Sequence, residues 1–216
     1  MSIIPLIFTS SWASGINAYA VVLLLGLFGR FGPADSVPAV LERPDVLIAA
    51  GALFLVEAVA DKVPYLDSAW DAVHTVIRPV AGATVAALLA SHDPGSLGTV
   101  AAGAMGGTTA LLSHTVKASL RMAVNTSPEP ASNIGVSLAE DISVAGLVTL
   151  AIFHPWIAAS IASVLLVAGA VLVWFAFTRI RRFLARRRDR RAARAARRGP
   201  LPAPVPAPPG RGGSGY

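Results

Sequence analysis

Apolar and polar positions fall along this chain in long blocks rather than in short periods. Apolar stretches lie near residues 3–28, 46–60, 80–91, 97–113, 134–153 and 156–178. A helix that crosses the roughly 30 Å hydrocarbon core of a bilayer needs about 20 such residues. The first and last stretches reach that length. The stretch 46–60 reaches it only by taking in Glu57 and Asp61, and 80–91 is short. Short or interrupted segments occur where backbone lines a protein cavity rather than lipid. Polar turns that extend a helix into the interface are the plainer explanation. Trp156 and Trp174 stand near the two ends of the last stretch, as an interfacial aromatic belt places them. The pattern predicts an all-α polytopic membrane domain over residues 1–178, with about six hydrophobic segments, some short or broken. Gly15-Ile16-Asn17 is a point where the first stretch can break, since Gly and Asn tolerate unusual backbone angles, or a small-residue contact.

Composition sharpens this. The 216 residues are 54% hydrophobic and only 14% charged, against about 25% charged in a typical soluble domain. The charges are unevenly placed. Residues 179–216 hold twelve of the eighteen Lys and Arg and one of the twelve acids, so the tail carries +11 and residues 1–178 carry −5. A disordered protein, a disulfide scaffold and an ordinary soluble enzyme are excluded. Zero cysteines remove thiolate nucleophiles, Cys zinc sites and iron–sulfur clusters. Met1–Thr9 has no positive n-region, so the first segment is expected to be retained as a membrane element.

The basic tail divides in two. Residues 179–198 are Arg- and Ala-rich and can continue the last helix. Residues 199–216 are Pro- and Gly-rich and are expected to be disordered. The positive-inside rule puts the tail in the cytoplasm. Six spans then put the N-terminus there too, along with loops holding Lys62 and Arg78, and Lys117 and Arg121, with the loop of Arg30 and Arg43 outside; a four-span core with re-entrant pieces satisfies the tail equally well. Arg181, Arg182, Arg186, Arg187 and Arg188 are candidates for contact with anionic lipid headgroups. Nucleic acid is the weaker partner, because among these arginines only Phe183 supplies an aromatic side chain.

Two polar constellations interrupt the apolar chain. In the first, Glu57 and Asp61 are four apart and share a helix face, with Lys62 next to them. Pro64 then breaks the helix, and Asp67 or Ser68 can cap a second one. Asp71, His74 and Arg78 follow at steps of three and four, again on one face. In the second, His114, Lys117 and Arg121 make one cationic face, and Pro128 and Pro130 end that helix. Asn125 and Asn133 flank the break; Ser137, Glu140 and Asp141 follow at the entry to an apolar helix. Charge complementarity suggests that Glu57 and Asp61 face Lys117 and Arg121. If these groups lie in the membrane, each needs a partner or water, and such groups mark ion and proton paths. A solvated cytoplasmic loop with a short amphipathic helix accounts for the same pattern without function.

Small residues recur every four positions at Gly98, Ala102, Gly106 and Ala110, with Gly82, Ala86 and Ala90 repeating the theme. That spacing lets helices approach closely and implies packing rather than chemistry. The enzyme motifs G-x-S-x-G, H-E-x-x-H, Walker A and G-x-G-x-x-G are missing. His92 and His154 fall in apparent short loops, and neither His74 nor His114 has a second His at i+4. Four or more acids can hold a divalent cation through oxygen, but their spacing specifies no metal, and no cofactor is indicated.

The segments SGINAYAVVLLLGL, VEAVADKVPYLDSAWDAVHTVIRPVAGA and SLAEDISV resemble the bacterial multi-pass membrane proteins of the domain-of-unknown-function 4126 family over about residues 5–175. The stretches Glu57–Asp67 and Ser137–Asp141 carry the resemblance most specifically. It implies a helical integral membrane domain of a bacterial cytoplasmic membrane, and supplies no substrate, cofactor or catalytic role.

The leading functional expectation is a small transporter or channel for an ion or small charged solute, its site formed where the two constellations meet. The alternative is a lipid-binding or scaffolding protein whose charges form a structural network. An intramembrane enzyme using a pair such as Asp71 and His74 is third. Membrane lipids are the expected partners, with a homo-oligomer left open.

Overall fold

The computed structural model describes residues 3–63, 65–91, 96–125 and 130–197, with backbone alone for 96, 130 and 190–197. Seven α-helices account for nearly all of these residues, and no strand occurs among them: α1 (Ile3–Ser14), α2 (Ala18–Phe31), α3 (Pro44–Ala60), α4 (Leu66–Ala90), α5 (Ser96–Val124), α6 (Pro130–Phe153) and α7 (Pro155–Arg197). Among the described residues, three stretches are by length and composition apolar enough to cross a membrane: Leu66–Ala90, Ala131–Phe153 and Pro155–Asp189. The chain divides into two compact units, Met1–Trp174 and Phe175–Tyr216.

The expected first span is two helices. α1 has 12 residues, so at about 1.5 Å per residue it is only about 18 Å long, too short for the membrane core. Gly15, Ile16 and Asn17 separate it from α2. Gly15 is there because no side chain fits: an added Cβ would overlap the Ala110 carbonyl and the Ser113 hydroxyl of α5. Asn17 restarts the helix, its extended backbone and side-chain oxygen capping α2 through the Ala20 amide at 2.9 Å. Both expectations for this tripeptide, a break and a small-residue contact, are therefore met at once.

α1 is the hub of the first unit. It packs against α2, α4, α5 and α6, and nine of its residues are buried, among them Thr9, Ser10, Ser11 and Ser14. Only Ile4 among its described residues is exposed, so its hydroxyl-bearing second half sits against protein, where such groups are tolerated. The closest pairing is α4 with α5. Gly82 and Ala86 meet Gly106 and Ala110: a Cβ on Gly82 would lie 2.5 Å from the Ala110 Cβ, and one on Gly106 2.6 Å from the Gly82 carbonyl oxygen. The packing continues to Ala102, which is buried, and loosens by Gly98, where an added Cβ would meet no described residue within 4 Å.

The short stretches of the sequence are parts of longer helices. The stretch 80–91 is the second half of α4, which continues through Pro79, and 97–113 is extended by α5 to Val124. The loops expected to hold Arg78, Lys117 and Arg121 are therefore not loops. All three residues lie inside helices and are buried. Lys62 alone of the four sits in a turn, after α3. That turn leads to Tyr65, whose φ of 68° puts a non-glycine residue in the left-handed region just before α4. Pro64, His92, Pro128 and the stretch 199–216, each given a role by the sequence pattern, lie outside the described residues.

Candidate functional site

The spacing of the charged residues decides where they go. On α4, Asp67, Asp71, His74 and Arg78 form one stripe that continues into Gly82, Val85, Ala86 and Leu89, and all eight are buried. On α5, Ser113, His114, Lys117 and Arg121 do the same. Glu57 and Asp61 are the inward positions at the end of α3. Packing these faces together buries a network of ion pairs.

Arg78 is its first centre, with a side chain fully buried. Its Nη2 donates to Glu57 Oε1 at 2.7 Å, and its Nη1 to Asp71 Oδ1 at 2.9 Å and to His114 Nδ1 at 2.7 Å. A guanidinium only donates, so His114 Nδ1 must accept and the ring is neutral, with its proton on Nε2. That proton faces Thr75 Oγ1 at 3.1 Å, and the Thr75 hydroxyl donates on to the Asp71 carbonyl at 3.0 Å.

Lys117 and Arg121 are the second centre. Lys117 Nζ donates to Asp61 Oδ2 at 2.6 Å and to the Ile16 carbonyl at 3.0 Å. It also lies 3.5 Å from Glu140 Oε2 and 3.7 Å from Glu57 Oε1, which joins the two centres. Arg121 forks onto Glu140 and donates to Asp61 Oδ2 at 3.2 Å and to the Asp61 carbonyl at 2.5 Å. Asp67 lies 3.7 Å from Arg121 and accepts from Asn125 at 2.9 Å. The pairing suggested by charge complementarity, Glu57 and Asp61 against Lys117 and Arg121, is present.

Five carboxylates (Glu57, Asp61, Asp67, Asp71, Glu140) surround three cations (Arg78, Lys117, Arg121). Counted as fully ionised, these eight groups carry a formal surplus of two negative charges. Three carboxylate oxygens, Glu57 Oε2, Asp61 Oδ1 and Asp71 Oδ2, are buried without a hydrogen bond among the described residues. Buried polar atoms of this kind call for water, an ion or a proton.

The broken helix reaches this centre. The Ile16 carbonyl at the break receives Lys117, and Asn17 Nδ2 lies 3.5 Å from Asp141 Oδ1. The negative end of α1 thus meets a cation and the positive end of α2 a carboxylate, as the helix dipole favours.

The family model for the domain of unknown function DUF4126 matches residues 4–175. The chain belongs to this family. The match takes in every member of the network and leaves out the arginines from 179 onward. Among curated proteins and among solved structures, none matches the chain.

Within this DUF4126 domain the remaining sequence-predicted residues divide. Lys62 and Asp141 form a neutral outer pair at 4.0 Å, and Lys62 also donates to Ser137 at 3.3 Å. His74 is buried beside the network but bonds elsewhere, to the Trp70 carbonyl at 2.9 Å and the Tyr19 hydroxyl at 3.1 Å. Asn133 is buried, and neither of its amide atoms makes a hydrogen bond among the described residues. No group of three or more His, Asp or Glu side chains among the described residues is arranged to hold a metal ion; the acids that the sequence offered for one face Lys and Arg instead.

Tyr19 and Thr75 are partners that sequence reasoning missed. Thr75 follows His74 on α4, and a polar residue there was visible, but its role depends on His114, 39 positions away. In the second unit, Arg181, Arg182, Arg186, Arg187 and Arg188 are exposed. Arg181 and Arg187 lie over the rings of Phe177 and Phe183 at 5.6 and 4.7 Å.

Proposed function

We propose that this chain is a small membrane transporter or channel for a cation or other small charged solute, with the buried network as its path. One observation carries the reading: a network with two surplus negative charges sits at a helix break inside an apolar bundle. A purely structural network gains nothing from surplus charge in a low-dielectric interior, because each unpaired ion costs several kcal/mol there (order of magnitude). A path needs charge that a mobile ion can neutralise, and broken helices recur at the sites of transporters. We place the protein in a bacterial cytoplasmic membrane with its C-terminus inside. There the exposed arginines from Arg181 to Arg188 meet anionic headgroups, each contributing about 1 kcal/mol.

A second reading has its own support. Arg78, Lys117 and Arg121 each contact at least two carboxylates within 4 Å, as in a structural network of a scaffolding or lipid-binding protein. Access separates the two. The chain has no cysteine, so Ser137→Cys supplies a single thiol beside Lys62. In sealed vesicles a membrane-impermeant thiol reagent should label it from both faces if the network lies on a path. Labelling from one face only, or from neither, favours the scaffold.

A further inference from the structure

A cavity of about 410 Å³ lies between α1, α5, α6 and the part of α7 within the first unit. That volume is in the range of small-molecule sites, about 300–1,000 Å³. Its walls are apolar, built by Ile16, Val116, Leu120, Val136, Leu165 and Leu166. Leu120 and Leu165, which also line it, are exposed, so it opens at the surface of the bundle.

One end is polar: Ser113, Lys117, Glu140 and Ser143 line it. The donors of Ser113, Lys117 and Ser143 are committed, and Glu140 only accepts. Ser113 donates to the Trp12 carbonyl at 2.7 Å, and Ser143 to the Ala139 carbonyl at 2.6 Å. Lys117 directs its three N–H groups to Ile16, to Asp61 and towards the carboxylates of Glu140 and Glu57. What remains is acceptor capacity, on two hydroxyl oxygens and the Glu140 carboxylate, whose side chain is 13% exposed. Behind Glu140 stands the network with its two surplus negative charges. A lipid tail fills the apolar volume but leaves this end unanswered. An anion is repelled by it.

We propose that this cavity binds a lipophilic organic cation: an apolar body in the cleft and an ammonium group donating to Glu140. As the substrate class of the transporter proposed above it rests on that reading, but binding and transport are measured separately.

Phenylbutylammonium, phenylbutanol and phenylbutyrate share one apolar body and differ in head charge. They would be titrated calorimetrically into the full chain in lipid nanodiscs, with empty nanodiscs as control. A charge-assisted hydrogen bond contributes about 1.5–3 kcal/mol, so the ammonium should bind about tenfold or more tighter than the alcohol, with no saturable binding of the carboxylate. Glu140→Gln should weaken the ammonium about tenfold. Because Glu140→Gln also touches Arg121, Ala139→Phe provides a second variant that fills the cavity without altering a charge. It should abolish binding while helicity and elution volume stay unchanged. Equal affinity for all three heads, or unchanged ammonium affinity in Ala139→Phe, overturns the proposal. Ammonium binding without any flux would keep this site and reject the transporter. Ion flux without ammonium binding would reject this site and keep the transporter.

Discussion

Arg78→Met tests whether the ionic network is a single cooperative unit. Methionine keeps much of the volume of the arginine stem and removes the fork. Three hydrogen bonds go with it, to Glu57, Asp71 and His114 at 2.7, 2.9 and 2.7 Å. Among the described residues Glu57 keeps only Lys117 at 3.7 Å, and Asp71 loses its one ion pair. The surplus grows from two negative charges to three. Breaking a buried pair by removing one partner costs about 3–5 kcal/mol, and this cation serves two carboxylates, so a loss of about 4 kcal/mol or more is expected. Glu57→Gln removes a charge from the surplus but weakens the bond to Arg78. Alone it should cost about 2 kcal/mol. In the Arg78→Met background the same change relieves a carboxylate left with Lys117 at 3.7 Å, so the double variant should be more stable than the sum of the singles by about 2 kcal/mol. Reversible unfolding in mixed detergent micelles, followed by far-ultraviolet circular dichroism, measures all three. An Arg78→Met loss below about 1 kcal/mol, or strictly additive costs, would refute the argument.

The close approach of α4 and α5 gives a paired prediction. Gly106→Ala should destabilise by about 1–3 kcal/mol, because its Cβ would overlap Ala86 and the Gly82 carbonyl. Gly146→Ala, with nothing within 4 Å, should be neutral or stabilise by up to about 1 kcal/mol. The same unfolding assay distinguishes them, and equal effects would contradict the packing described. Asn17→Ala should cost about 1–2 kcal/mol by removing the cap of α2. It should also leave Asp141 open to a water-soluble carbodiimide, which modifies accessible carboxyls; unchanged protection there would show that Asn17 does not shield it.

Much of the site was legible in the sequence because helical spacing is local. Glu57 with Asp61, Asp71 with His74 and Arg78, and Lys117 with Arg121 each share a face by arithmetic alone, and each face is buried. Opposite signs in the two constellations then suggested their pairing. The helix lengths were harder to read for the same reason. Charges on the buried faces of α4 and α5 interrupt the apolar stretches, so 80–91 and 97–113 looked like short pieces and the charged halves of the same helices looked like loops. In the first stretch the error ran the other way. Apolar residues continue from α1 into α2, and only Gly15 and Asn17 record the break. What forces it lies on α5, where Ala110 and Ser113 leave no room at Gly15 and Lys117 takes the Ile16 carbonyl. Contacts between residues about a hundred positions apart leave no local pattern. Tyr19 and Thr75 were missed on the same ground: each is an ordinary helix residue until His74 or His114 is placed beside it.

Ion flux is the most direct measure of the proposed role. The full chain would be reconstituted into liposomes, and proton, sodium, potassium and chloride movements recorded for the parent, Glu57→Gln and Asp141→Asn. The network as a path predicts a cation or proton flux in the parent that is lost in both variants while they remain folded. A parent without flux of any of these ions, or variants that carry it unchanged, would contradict that role and leave the charges as structure.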